Sequence, residues 1–479
     1  MKLAPIYLAA ALCGGALHAP ALAQPQTAED TPVSARVSVG PLDDGNWFVR
    51  YTFDAPQPVY ALAHSLTGYR SATWTPQTDG VRFGRLDGID VIIAEEPVSE
   101  IEFSIIPLTG QLPNDPTPFV TFAGGGIAIH DAQFELVGFK DMEAVEALEG
   151  DIAAASASVI PMEITVEADG PIRTSADTGQ GTLSAPVKDQ YIYLGDGEFE
   201  PHEGFSMLAD PYLPGWLASS FPDAVEGFLT TLETNWGREL GEDVSLIVAY
   251  KGAQARGLSL DGNALSDQVM LELGGQGFAE ANGDALAYLH WYTTRELVEL
   301  FQTPGDVRLG GPETAWIHDG FANSIAYQLI ASDMQSRDEF LSSVYTGAFE
   351  DCVATLEGGT LESAIERRAV TGPYACGDFI ALASDGYLRQ RDIFGIWQAL
   401  TDWASRSSDK TIDKQVYFTA MQLLGAAPAQ RERIRAIVED ELDKPRTALR
   451  ELLEDAGLEP QFNESGQLRA LDWPDYAVQ

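Results

Sequence analysis

Two hydrophobic periods, one after the other, restrict this chain more than any other feature. From about Val33 to Leu136 apolar residues come in short or alternating runs, the period of strands. From about Ala287 onward they recur at helical spacing almost without a break. Strands first and helices second is an α+β layout: an N-terminal antiparallel β-domain, then a domain that ends in helices.

The β-region reads as Val37–Val39, Trp47–Phe53, Val59–Leu62, Val81–Phe83, Val91–Ile93 and Ile101–Ile106. Turn signals such as Asp43-Asp44-Gly45, Asp79-Gly80 and Asp87-Gly88 punctuate the runs, which suits an antiparallel sandwich or saddle-shaped sheet. His64 and His130 stand alone in it and are expected to be structural. Val159–Glu167 reads as one more strand, and Gly170–Pro186, rich in Gly, Ser and Thr, as a loop or linker. These signals divide the chain into a β-domain over 24–170, a second domain over 187–400 and a helical region over 401–479. The second domain is expected to open with the strand Gln190–Leu194. The helix Pro222–Asn235, capped by Ser220, and the strands Val244–Tyr250 and Gln268–Leu273 follow. In the C-terminal region Ile393, Ile396, Trp397, Leu400 and Trp403 form one apolar stripe. Val416, Met421, Leu423 and Leu424 form another, and Ile434, Ile437, Val438 and Leu442 a third.

Residues 1–23 have the form of a cleavable export signal: Lys2, an apolar run from Leu3 to Leu17, and Ala21-Leu22-Ala23 before Gln24. The run is too short and too interrupted to span a bilayer, and no later stretch is apolar enough, so a secreted or periplasmic protein without a membrane anchor is expected. A lipoprotein at Cys13 is the alternative, weakened by Leu12 before it. The net charge of −43, from 72 acidic and 29 basic residues, repels phosphate backbones and speaks against nucleic-acid partners. Solubility is the plain explanation of that charge; a calcium-binding loop with its regular acidic spacing is not in the sequence. Two cysteines follow the signal, Cys352 and Cys376. In an exported chain they suggest one disulfide, which would contribute about 3 kcal/mol, with two free thiols as the other reading.

Three short motifs carry a resemblance. Arg295-Glu296-Leu297-Val298-Glu299 lies on the helix expected near 287–302. Trp316-Ile317-His318-Asp319-Gly320-Phe321-Ala322 follows on the next helix, and Pro373-Tyr374-Ala375-Cys376-Gly377 precedes a third, expected over Phe379–Gln390. Together they resemble the gluzincin zinc aminopeptidases, the alanyl and glycyl aminopeptidase group. That family binds zinc through two histidines one helical turn apart and a glutamate on the following helix, with a glutamate beside the first histidine as base. The resemblance implies a thermolysin-like domain with Arg295 and Glu299 at the histidine positions and Asp319 at the third ligand position. Glu296 matches the base and Tyr374 the tyrosine that stabilises the oxyanion. Glu280, after Gly274-Gly275-Gln276-Gly277, is a candidate for binding a substrate's amino group.

Zinc is the family's cofactor, yet its ligands are replaced here, and an arginine at the centre repels a divalent ion. No metal and no other cofactor is therefore expected. His290 and His318 are the alternative ligands, but His290 is five residues from Arg295, about 140° away on the helix. The expectation is that the guanidinium pairs with Glu299 at i+4 and with Asp319 across the helix interface. That arrangement implies an exported, non-catalytic aminopeptidase-like protein binding a peptide or an exported protein partner. An active metallo-aminopeptidase with an unusual metal site is the alternative.

Overall fold

The computed structural model describes residues 34–472, apart from 64–66, 113–115, 153–154, 156–158, 242–243, 306, 333, 335–336, 389–391 and 408–409. The expected export signal and His64 lie outside the described residues. The chain is α+β, and its described residues form two compact units, one within 34–222 with 241–281 and one within 223–240 with 282–472. Among the described residues no helix is long and apolar enough to cross a membrane.

The first unit is built on sheets. A large sheet has strands Trp47–Phe53 and Ala35–Pro41 near its middle, both alternating buried and exposed side chains along much of their length. Val37, Val49, Tyr51, Phe103 and Ile164 fill its core at 1% exposure or less. Its pairings are antiparallel except that Ala35–Pro41 runs parallel to Met162–Arg173, so the expected purely antiparallel domain is a mixed sheet. A four-stranded sheet is made of Leu136–Phe139, Val59–Leu62, Ile89–Ala94 and Val81–Leu86. Two short helices, α1 (Arg70–Thr73) and α2 (Met142–Glu146), also belong to this unit.

Two expectations fail here for one reason. The stretch 170–186, read as a linker, forms the end of Met162–Arg173 and the strand Thr178–Pro186 paired to it. The strand at 191–194, expected to open the second domain, pairs with Ile127–His130 in the large sheet. Glycine and proline are poor strand formers by propensity, but pairing in a ladder with a hydrophobic neighbour overrides propensity.

A third sheet holds Phe205–Ala209, Ser245–Tyr250 and Gln268–Gly274 in parallel, with Ser259–Ala264 antiparallel at one edge. Ser245–Tyr250 is buried at every position, which explains its continuous apolar run. The helix α3 (Gly215–Trp236) begins earlier than expected, so Pro222 lies inside it rather than at its start, and Ser220 does not cap it.

The second unit is helical: α4 (Gly283–Gln302), α5 (Ala315–Ser332), α6 (Arg337–Glu357), α7 (Gly372–Tyr387), α8 (Ile393–Ala404), α9 (Lys414–Leu423), α10 (Pro428–Glu439) and α11 (Pro445–Asp455). A C-terminal hairpin, Glu459–Phe462 with Leu468–Asp472, follows. Of the three apolar stripes, Ile396, Trp397, Leu400, Val416, Met421, Ile434, Ile437 and Val438 are buried. Trp403, Leu423 and Leu424 are exposed, because each sits in the last turn of its helix or just beyond it.

Helix α5 is the centre of this unit, buried without interruption from Ala315 to Ala331. A helix wrapped on all sides must satisfy every polar side chain it carries from within. Glycine makes the closest approach possible. A Cβ on Gly320 would sit 2.3 Å from the Gly377 Cα, and one on Gly377 2.4 Å from the Trp316 carbonyl oxygen. The disulfide Cys352–Cys376 ties α6 to the same first turns of α7.

Candidate functional site

Each of the three motifs lies on its own helix of the second unit. Helix α4 starts at Asn282, whose side chain accepts from the Asp284 and Ala285 amides, and it stops before Pro304. That fixes Arg295, Glu296 and Glu299 in its C-terminal half, at 3%, 1% and 5% exposure. Asp319 and His318 come from the first turns of α5 and Tyr374 from the first turn of α7. The Gly320–Gly377 contact, one residue from Asp319 and three from Tyr374, holds those turns together.

The guanidinium of Arg295 donates to Glu299 Oε1 at 2.9 Å, the expected i+4 pair. Its other amino group donates to Glu296, so the residue matched to a free base is ion-paired instead. The expected Arg295–Asp319 pair is absent: the ion-pair partner of Asp319 is His318, Nδ1 to Oδ1 at 3.2 Å. Both carboxylates of Arg295 lie on its own helix, where i+1 and i+4 geometry can reach, and they leave the guanidinium turned along α4 rather than across to α5. Its faces are covered by the rings of Tyr292 at 4.9 Å and Tyr374 at 5.6 Å.

Electrostatics follow from burial and from an excess of carboxylates. Burial works against the charge on Arg295, but Glu296 and Glu299 outweigh it and hold the guanidinium firmly protonated. Burial pushes Glu299 up to about 7, with Arg295 opposing and Asp319 adding. Burial alone would lower His318, yet Asp319 and then Glu299 raise it above its ordinary value. Burial, reinforced by the charge of Asp319, keeps the Tyr374 hydroxyl neutral. The Tyr374 ring is half-buried, while its hydroxyl and Asp319 Oδ2 are shut off from solvent without a hydrogen-bond partner among the described residues.

A second polar layer lies one helical turn along the same helices and was not expected. Trp291, four residues before Arg295, donates its indole N–H to Asn323 Oδ1 at 2.7 Å. Asn323, four after Asp319, donates to Asp378 Oδ2 at 3.0 Å, and Asp378 is four after Tyr374. Burial pushes the Asp378 carboxyl well above the usual range. The i±4 relation to each motif is the sequence signal that could have found this layer. On the other side Gln302 donates to the His318 carbonyl at 2.9 Å. Two side-chain clamps therefore join α4 to α5, one on each side of Arg295.

A zinc ion does not fit these residues. The Arg295 guanidinium engages both neighbouring carboxylates, Glu296 and Glu299. Among the described residues no group of three or more His, Cys, Asp or Glu side chains is arranged to hold a metal ion. His290 packs its ring edge-on against Phe228 at 5.2 Å. Glu280 lies in the other unit, exposed in a bend after the 3-10 turn Gln276–Phe278.

No protein-family model matches the sequence, and no curated protein is similar to it in sequence. In structure the chain is similar to an aminopeptidase N family protein from Idiomarina loihiensis, with a TM-score of 0.62 and 12% identity over 89% of this chain and 79% of that one. Native yeast LTA4 hydrolase superposes less closely, with a TM-score of 0.48 and 11% identity over 88% and 70% of the two chains. The first likeness shows that the chain has an aminopeptidase-like fold.

Proposed function

We infer that this chain is an exported, non-catalytic protein of aminopeptidase-like fold that acts by binding a peptide or an exported protein partner. The observation that carries the reading is the Arg295 guanidinium, ion-paired to Glu296 and Glu299 where the resembled enzymes hold a metal ion. A glutamate engaged by an arginine is a poor base, because the pair lowers its basicity and fills the space a water would need. Without a Lewis acid or a free base, Tyr374 has no activated water to work with. What remains is binding, and the same cluster still carries two buried polar groups, the Tyr374 hydroxyl and Asp319 Oδ2, with no hydrogen-bond partner among the described residues. Export rests on the form of residues 1–23.

The test is zinc content of the purified mature protein by elemental analysis, run beside turnover of aminoacyl-coumarin substrates. Substoichiometric zinc and background turnover are expected. Stoichiometric zinc with chelator-sensitive turnover would instead establish an active metallo-aminopeptidase and end this reading.

A further inference from the structure

Asp378 sits in the helical core without a counter-ion. It is 0% exposed on α7, next to Gly377 at the crossing with α5, and its helix neighbours Phe379, Ala381 and Leu382 are buried and apolar. One bond reaches it, from Asn323 Nδ2 to Oδ2 at 3.0 Å. Oδ1 is shut off from solvent with no hydrogen-bond partner, and no Lys, Arg or His side chain pairs with the carboxyl among the described residues. Asn323 cannot turn to cover Oδ1, because its own Oδ1 accepts from Trp291 at 2.7 Å. The other titratable groups of this layer are tyrosines. Tyr327 of α5, kept protonated first by burial, lies flat on Trp291 at 5.5 Å and meets Tyr345 of α6 at 5.8 Å. Helix α4 adds Tyr288, stacked on Trp291, and Arg295, which acts on Tyr327 but bonds Glu296 and Glu299. Farther along α7, Tyr417 of α9 bonds Ser384 and Asp455 of α11 acts on Tyr387, while the one acid of α8, Asp402, is exposed.

We propose that Asp378 is a neutral carboxylic acid in the folded chain up to pH 8, so that the crossing of α5 and α7 takes up one proton as it forms and tightens as pH falls. An ionised carboxylate at this position would have one neutral bond and no counter-ion. Burying a charge in that state costs more than burying an O–H whose bond is unmade. With the proton on Oδ1, Oδ2 remains the acceptor for Asn323, and the Trp291–Asn323–Asp378 layer is uncharged. With the proton lost to solvent, the layer holds an unmatched charge, and α7 is held less tightly against α5. Burial is also the first cause of the rise in the Asp378 carboxyl. The proposal concerns a residue outside the Arg295 cluster and stands whether or not the chain binds a peptide.

The sign follows from linkage. A carboxyl raised on folding from 3.8 to well above it binds its proton more tightly in the native state. Its contribution to stability is therefore fully present below pH 3.8 and is lost as pH rises through the folded value. Between pH 5 and pH 8 the unfolded carboxyl is ionised and the folded one is not, so this group lowers the folding constant about tenfold per pH unit.

The experiment is urea unfolding of the full chain across that range for wild type and Asp378→Asn. Asparagine keeps an acceptor for Asn323 and cannot ionise. The ratio of the wild-type folding constant to that of D378N should fall about tenfold per pH unit. Asp131 and Glu299, raised to about 6 and about 7, titrate in both proteins and cancel in the ratio. A ratio that stays level from pH 5 to pH 8 would overturn the proposal, since Asp378 would then be ionised in the native state. Should D378N fail to fold, infrared spectroscopy of wild type with isotope-labelled aspartate covers the case. At pH 8, where Asp131 has ionised, the carbonyl stretch of a protonated aspartate should persist, and its absence would equally sink the idea.

Discussion

Each compact unit buries an arginine beside a carboxylate and against aromatic rings, and the two clusters differ in one respect. In the sheet unit Arg70, 1% exposed, bonds Asp90 Oδ2 at 3.2 Å and the Gln133 carbonyl at 2.9 Å. Its guanidinium lies 4.7 Å from the Tyr69 ring, and Arg85 approaches Asp90 from the other side at 3.6 Å. Two arginines serve one carboxylate. In the helical unit one arginine pairs with two, Glu296 and Glu299, and His318 pairs with a third, Asp319. Cation excess is tolerable because arginine stays charged and its spare N–H groups can bond carbonyls. Carboxylate excess has no such outlet except protonation. The first cluster therefore has arginines on both sides of its carboxylate, while the second holds Glu299, which burial pushes up to about 7.

Removing the guanidinium from the second cluster has the largest expected effect. Arg295→Met should cost about 3 to 5 kcal/mol at pH 8 and less at pH 5, where Glu299, raised to about 7 by burial, takes up a proton. Urea denaturation at the two pH values checks it, and an equal cost at both would erase the contrast with Arg70. Next comes Gly377→Ala, which drives a methyl group into the Trp316 carbonyl and the Gly320 Cα. About 1 to 3 kcal/mol is expected, read as a drop in melting temperature, because the obstacle is backbone and cannot rotate away. No loss of stability would mean that the α5–α7 contact does not set the position of Tyr374. Smallest is Arg85→Met. Its ion pair is long and its side chain 30% exposed, so the change should stay within about 1 kcal/mol. A larger loss would show that Asp90 depends on both arginines.

Much of this was legible in the sequence. Trp47–Phe53 and Val59–Leu62 match the observed strands because alternating or continuous apolar runs bounded by turn residues admit little else. The Arg295–Glu299 pair follows from helical spacing alone. The strand Thr178–Pro186 was not legible, since its small polar residues carry no period and only pairing to Met162–Arg173 makes it a strand. Within the site, Arg295–Glu296 and the missing Arg295–Asp319 pair were misjudged. Spacing says which residues share a helix face, but not which way a long guanidinium turns between them. The Trp291–Asn323–Asp378 layer escaped notice because tryptophan and asparagine read as ordinary helix residues until three helices meet.

The sequence by itself determined the α+β order and most elements, because these depend on period and punctuation. Only the tertiary structure decided how the replaced charges are shared. Glu296 and Glu299 take the guanidinium, His318 takes Asp319, and Asp319 Oδ2 and the Tyr374 hydroxyl are left over. That division depends on distances of a few ångströms set by the Gly320–Gly377 crossing and by burial, which raises the energy of every unmatched charge.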